Sequence, residues 1–108
     1  MSIGFIGCGN MATAIIKGII KSKTVEENEI NVFDVYAPAV ERLTAEYKIN
    51  KCESECDVVS SSDAVILAVK PNVLPQVLNK INTTLEESDT LLISIAAGKS
   101  TEFIRGAL

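Results

Sequence analysis

The sequence predicts an α/β fold, a mainly parallel sheet with helices on both faces, from three observations. Short apolar, β-branched runs alternate with helical patterns along the chain. The runs at 64–69 and 91–93 carry no polar residue, as expected of strands covered on both faces. A glycine-rich turn, Gly7-Cys8-Gly9-Asn10-Met11-Ala12, stands where the first run gives way to the first helical pattern.

In order, Ile-Gly-Phe-Ile predicts a strand over 2–6, and Met11, Ala14, Ile15, Gly18 and Ile19 lie on one face of a helix over 10–22. The acids Glu26, Glu27 and Glu29 read as a solvated loop before a strand at 30–34. A helix over 38–47 begins with Pro38, which suits a first helical position, and carries Val40, Leu43 and Tyr47 on its core side. A short strand near 49–52 and a short helix near 55–61 lead to the apolar strand at 64–69. A helix over 72–82 takes Asn72 as N-cap, tolerates Pro75 in its first turn, and buries Leu74, Val77, Leu78 and Ile81. A strand at 91–95 and a helix starting near 100 complete the series, with no linker or low-complexity segment to divide residues 1–108.

With 108 residues, 47% of them apolar, the chain can bury a two-sided core as one domain without staples. A formal charge of −4 without a basic cluster argues against nucleic acid as a partner, and no apolar run approaches the ~18 residues that span a bilayer. Three cysteines and no signal-peptide pattern predict a reduced, cytoplasmic protein. Cys52 and Cys56 suggest half a zinc site, but the chain has no His and only Cys8 as a third thiol, so free thiols are favoured and no metal site is expected.

The turn carries the functional signal. Glycines at 7 and 9 permit a tight turn and close approach to a ligand, and Ala12 lets the next helix sit close on the sheet. The first free N–H groups of that helix then face a pyrophosphate. A Gly-x-Gly-x-x-Ala alone marks many βα turns, whereas between a strand and a helix it reads as a dinucleotide fingerprint, so a Rossmann-type, doubly wound sheet is expected. In such sheets ligands bind at the carboxyl ends of the strands. Four segments reach that edge here: 7–11, Asp34-Val35-Tyr36, Val69-Lys70-Pro71 and Ala96-Ala97-Gly98.

Asp34, 25 residues after Gly9, is placed to accept hydrogen bonds from the adenine ribose and so favours NADH over NADPH. The alternative is a strand-end Asp that bonds its own turn. Lys70-Pro71 can present carbonyls and an apolar wall to a nicotinamide ring; Lys70 as a proton donor is less favoured than Lys70 as a solvated side chain. Ala96, Ala97 and Gly98 leave room for a ring, or ease a turn. No Ser-His-Asp or Cys-His arrangement is available without His, so no catalytic residue is assigned. Hydride transfer asks little more of the protein than placement of cofactor and acceptor.

Taken together, residues 4–15 (Gly-Phe-Ile-Gly-Cys-Gly-Asn-Met-Ala-Thr-Ala-Ile), Ala68-Val69-Lys70-Pro71 and Ser94-Ile95-Ala96-Ala97-Gly98 closely resemble the N-terminal domain of the pyrroline-5-carboxylate reductases, and the resemblance runs the whole length. It implies NAD(P)H-dependent reduction of the C=N bond of 1-pyrroline-5-carboxylate to L-proline, the last step of proline biosynthesis. By the family pattern, Ile6, Gly7, Cys8, Gly9, Asn10 and Met11 would hold the pyrophosphate and Asp34 the adenosine ribose. Ala68, Val69, Lys70 and Pro71 would hold the nicotinamide half, with Ala96, Ala97 and Gly98 beneath the reacting ring.

Two positions depart from the family: Glu55 stands near an Asn that often contacts the adenosine side, and Val35 replaces a basic or small polar residue. Family members are more than twice as long, with a C-terminal helical domain that dimerises and supplies most of the substrate pocket. The expectation is therefore an N-terminal fragment that binds cofactor and turns over little, with a homo-oligomer only for the full-length protein. A stand-alone NAD(P) sensor or partner-binding module, using Phe103, Ile104 and Leu108 as a patch, is the alternative, as is a related imine or oxo-acid reductase.

Overall fold

Each parallel strand is a short apolar run whose connection must cross back over one face of the sheet, and that constraint organises the molecule. The computed structural model describes residues 1–95 and, as backbone, 102–105. In order these are β1 (Ile3–Ile6), α1 (Asn10–Ser22), β2 (Ile30–Phe33), α2 (Ala37–Glu46), β3 (Asn50–Lys51), α3 (Glu55–Ser61), β4 (Ala64–Leu67), α4 (Leu74–Glu86), β5 (Leu91–Ser94) and β6 (Glu102–Arg105). The sheet order is β3-β2-β1-β4-β5-β6, with β1 to β5 parallel and β6 antiparallel at the edge.

Alternate residues of a strand face opposite sides, and two cores result. Phe5, Ile30 and Val32 pack with Ala12 and Ile16 of α1 and Val40 and Leu43 of α2. Ile6, Val65, Leu67 and Leu92 pack on the other face with Val58 and Val59 of α3 and Val77, Ile81 and Leu85 of α4. α3 seats so closely on β1 that a Cβ at Gly4 would overlap Val58 and Ser62. Among the described residues no helix is long and apolar enough to cross a membrane, and no cluster of His, Cys, Asp or Glu could hold a metal.

Four expectations are corrected. The helix expected near 100 is instead β6, whose register places Ser94 opposite Glu102 and Leu91 opposite Arg105. Phe103 and Ile104 favour extended backbone, and the free edge of β5 offers the segment hydrogen bonds. Helix α4 starts at Leu74, two residues later than expected, and its N-cap is Val73 rather than Asn72. The carbonyl of Lys70 accepts from Val73 N at 2.9 Å, so Pro71 and Asn72 form a turn before the helix. At its other end α4 runs on to Glu86, past Thr83 and Thr84, because Leu85 extends the buried stripe of Val77 and Ile81. The acidic segment before β2 forms a 3-10 turn over Glu27–Glu29, closed by a reciprocal capping box between Glu26 and Glu29.

Candidate functional site: a crevice at the strand ends

β1 lies between β2 and β4, and the chain leaves β1 toward α1 on one face but leaves β4 toward α4 on the other. A crevice must open where the two connections part. β4 ends at Leu67, earlier than the predicted 69, and Ala68 N still donates to Ile6 O at 2.8 Å while Val69 turns away.

The two turn glycines have different reasons to be glycine. Gly7 has φ +102°, and a Cβ there would overlap the Ala68 carbonyl, so backbone and packing both require it. Gly9, the N-cap of α1, has an ordinary φ of −79° and nothing within 4 Å of where its Cβ would stand. The protein itself leaves that space free for a ligand's approach. No side chain caps α1, and its first turn carries no acid, so its leading N–H groups remain open to an anion.

Gly9, Asn10, Met11, Ala68, Val69, Lys70 and Ile95 line one cleft of about 130 Å³. Lys70 is exposed and makes no ion pair among the described residues. Pro71 is exposed in the turn behind it, while Ala96, Ala97 and Gly98 lie outside the described residues.

A second cleft of about 220 Å³ lies on the α3 and α4 side of Val69. Ile6, Gly7 and Phe33 form its sheet wall, Asp34 and Val35 its rim, and Val73, Gln76, Val77 and Lys80 its helical wall, with Glu55 facing across from α3. Asp34 Oδ2 accepts from Cys8 N at 2.7 Å and Oδ1 from Tyr36 N at 2.9 Å. The bond to its own turn is therefore present, and a second ties β2 to the glycine loop. Each carboxylate oxygen has a further lone pair, so a ribose diol can still be accepted. Cys8 lines neither cleft: its side chain is fully buried in the α1 and α2 core, and burial, with Asp34 next, pushes its thiol up to about 12 against the opposing Arg42.

The structure thus gathers Ile6, Gly7, Gly9, Asn10, Met11, Asp34, Ala68, Val69 and Lys70 around two adjoining clefts. Sequence reading missed the α4 wall. Val73, Gln76 and Lys80 recur at helical spacing beside the buried stripe to which Val77 belongs, and the signal was that α4 must start at the strand ends.

A doubly wound sheet with such a crevice at its strand ends has the form of a dinucleotide-binding domain. The family model described as NADP oxidoreductase, coenzyme F420-dependent, matches residues 2–98, and the chain belongs to that family. The chain is 40% identical over 106 residues to the pyrroline-5-carboxylate reductase of Escherichia coli, covering 98% of this chain and 39% of that protein. It is 42% identical over 96 residues to the enzyme of that name from Methanosarcina acetivorans, covering 89% of this chain and 35% of the relative. A solved pyrroline-5-carboxylate reductase from Coxiella burnetii superposes with a TM-score of 0.81 at 29% identity, over 88% of this chain and 35% of that one. The chain thus spans under two fifths of the length of these relatives and corresponds to their NAD(P)-binding domain.

Proposed function

We propose that this chain is the cofactor-binding part of a pyrroline-5-carboxylate reductase, which reduces the C=N bond of 1-pyrroline-5-carboxylate to L-proline with NADH in preference to NADPH. The observation that carries the reading is 40% identity over 98% of the chain to a relative of that name, in a chain whose strand ends form a dinucleotide crevice. The reduced nicotinamide supplies the hydride when bound. In this reading the open N–H groups of α1 hold the pyrophosphate over Gly9, and Asp34 accepts the ribose hydroxyls and disfavours a 2′-phosphate. Ala68, Val69, Lys70 and Pro71 wall the nicotinamide half and leave one face of the ring to the substrate. A C=N acceptor needs orientation and exclusion of water more than acid–base groups, consistent with a crevice of backbone and small residues. The full-length protein is a cytoplasmic homo-oligomer in this account, its substrate pocket built largely by further chain.

The test is a chimera in which residues 1–108 replace the matching segment of the Escherichia coli enzyme. The proposal expects oxidation of NADH that depends on 1-pyrroline-5-carboxylate. A folded chimera that binds NADH yet fails to reduce 1-pyrroline-5-carboxylate would contradict the reading.

A further inference from the structure

We propose that Glu55 and Lys80 form a base-reading pair that selects adenine over a 6-oxopurine in the dinucleotide; the inference rests on the cofactor reading above. From the N-cap Val73, Val77 and Lys80 follow on successive turns of α4, so the second cleft runs on the order of 10 Å along the helix from the strand ends. Its walls beside Phe33, Val69 and Val77 are apolar and suit a flat heterocycle. At the α3 side the wall becomes charged. Glu55 is only 7% exposed, and Lys80 Nζ meets its Oε2 at 3.3 Å. Among the described residues no donor reaches Oε1, nor is that oxygen sealed inside the protein, so it is left to the cleft that Glu55 lines.

Stability gives little reason for this arrangement. A buried carboxylate whose partner is 57% exposed is a weak source of folding energy, and an apolar residue would fill the place as well. Recognition gives one. Adenine presents an amino donor beside the N7 acceptor, whereas a 6-oxopurine presents two acceptors on the same edge. A carboxylate beside an ammonium matches the first pattern and sets the O6 of the second against Glu55. Asp34, at the rim of the same cleft, is occupied with the loop and turn N–H groups and lies where the ribose belongs, which leaves base contacts to the α3 and α4 wall.

The test is titration of the 108-residue chain with NADH and with reduced nicotinamide hypoxanthine dinucleotide, followed by nicotinamide fluorescence, for the wild type and Glu55→Gln. The wild type is expected to bind NADH about tenfold more tightly than the hypoxanthine analogue, within the discrimination one good base pair of contacts gives. In Glu55→Gln the ratio should fall to about twofold, because an amide can donate to O6. A change in that ratio is not produced by a merely structural role, and the wild-type ratio stands without any variant. Equal affinities in the wild type, or a preference unchanged in a folded Glu55→Gln, would overturn the inference alone. Binding of neither dinucleotide would overturn the cofactor reading and this inference with it.

Discussion

At the scale of the residue, glycines two positions apart in one loop answer to different masters. Gly7→Ala must find room against the Ala68 carbonyl at a positive φ and is expected to cost on the order of 2–3 kcal/mol, a fall in Tm of roughly 10 °C or more in thermal melts. Gly9→Ala meets no protein atom and should cost no more than about 1 kcal/mol as an N-cap change, while weakening NADH binding at least about tenfold. A Gly9→Ala variant with unchanged affinity would remove the loop from the site. The thiols make a second prediction at this scale. Burial first, and then neighbouring carboxylates, push Cys8 to about 12 and Cys52 to about 11 from 9.0. The folded state keeps these protons while the unfolded thiols lose theirs, so this contribution is intact below pH 9.0 and stability falls as pH rises from there toward 12. Urea midpoints at pH ~8 and ~10 check the sign, the expected midpoint being lower at the higher pH. Cys56, half-buried and donating to Lys80 O at 3.1 Å, should be the one thiol that reacts quickly with a disulfide reagent before denaturation.

At the scale of the element, buried polar side chains fasten α3 to the strands around it. Thr90 Oγ1 lies 3.0 Å from the carbonyls of both Val59 and Ser62, at the end of α3. Asn31 of β2 donates to Ser61 O and Ser62 Oγ and accepts from Asn50. Thr90→Val keeps the shape but takes the hydroxyl donor from the Ser62 carbonyl and leaves Val59 O only the 3.4 Å bond from Ser62 N, and is expected to cost about 1–2 kcal/mol by denaturant titration; a neutral result would mean that water replaces the hydroxyl. These contacts were not legible in the sequence, because Asn31 and Thr90 find partners 30 or so residues away in the chain. The elements themselves were legible wherever a single face is buried: α1 and α3 fall at their expected limits because their apolar spacing is unbroken. α4 was read short at its end because Thr83 and Thr84 are modest helix formers, a local preference that burial of Leu85 overrides. The helix expected near 100 failed for a related reason, since hydrogen bonds from the edge of β5 are invisible to a local pattern.

At the scale of the whole molecule, the order β3-β2-β1-β4-β5-β6 decides where a ligand can bind, and everything that distinguishes the site follows from chains leaving β1 and β4 toward opposite faces. The glycine loop, Asp34 and the Ala68–Lys70 stretch were readable because each ends a strand. Gln76 and Lys80 were not, because their part depends on how α3 and α4 meet, and Glu55 was marked only through the resemblance, as a departure on the adenosine side. One titration bears directly on the central claim: the 108-residue chain against NADH and NADPH, followed by nicotinamide fluorescence, with Asp34→Ala alongside and circular dichroism to establish folding. The account predicts saturable binding, tighter for NADH, and loss of that binding in a folded Asp34→Ala variant, since the carboxylate braces the loop and, in the proposed function, would accept the ribose hydroxyls. A folded wild-type chain that binds neither dinucleotide would contradict it.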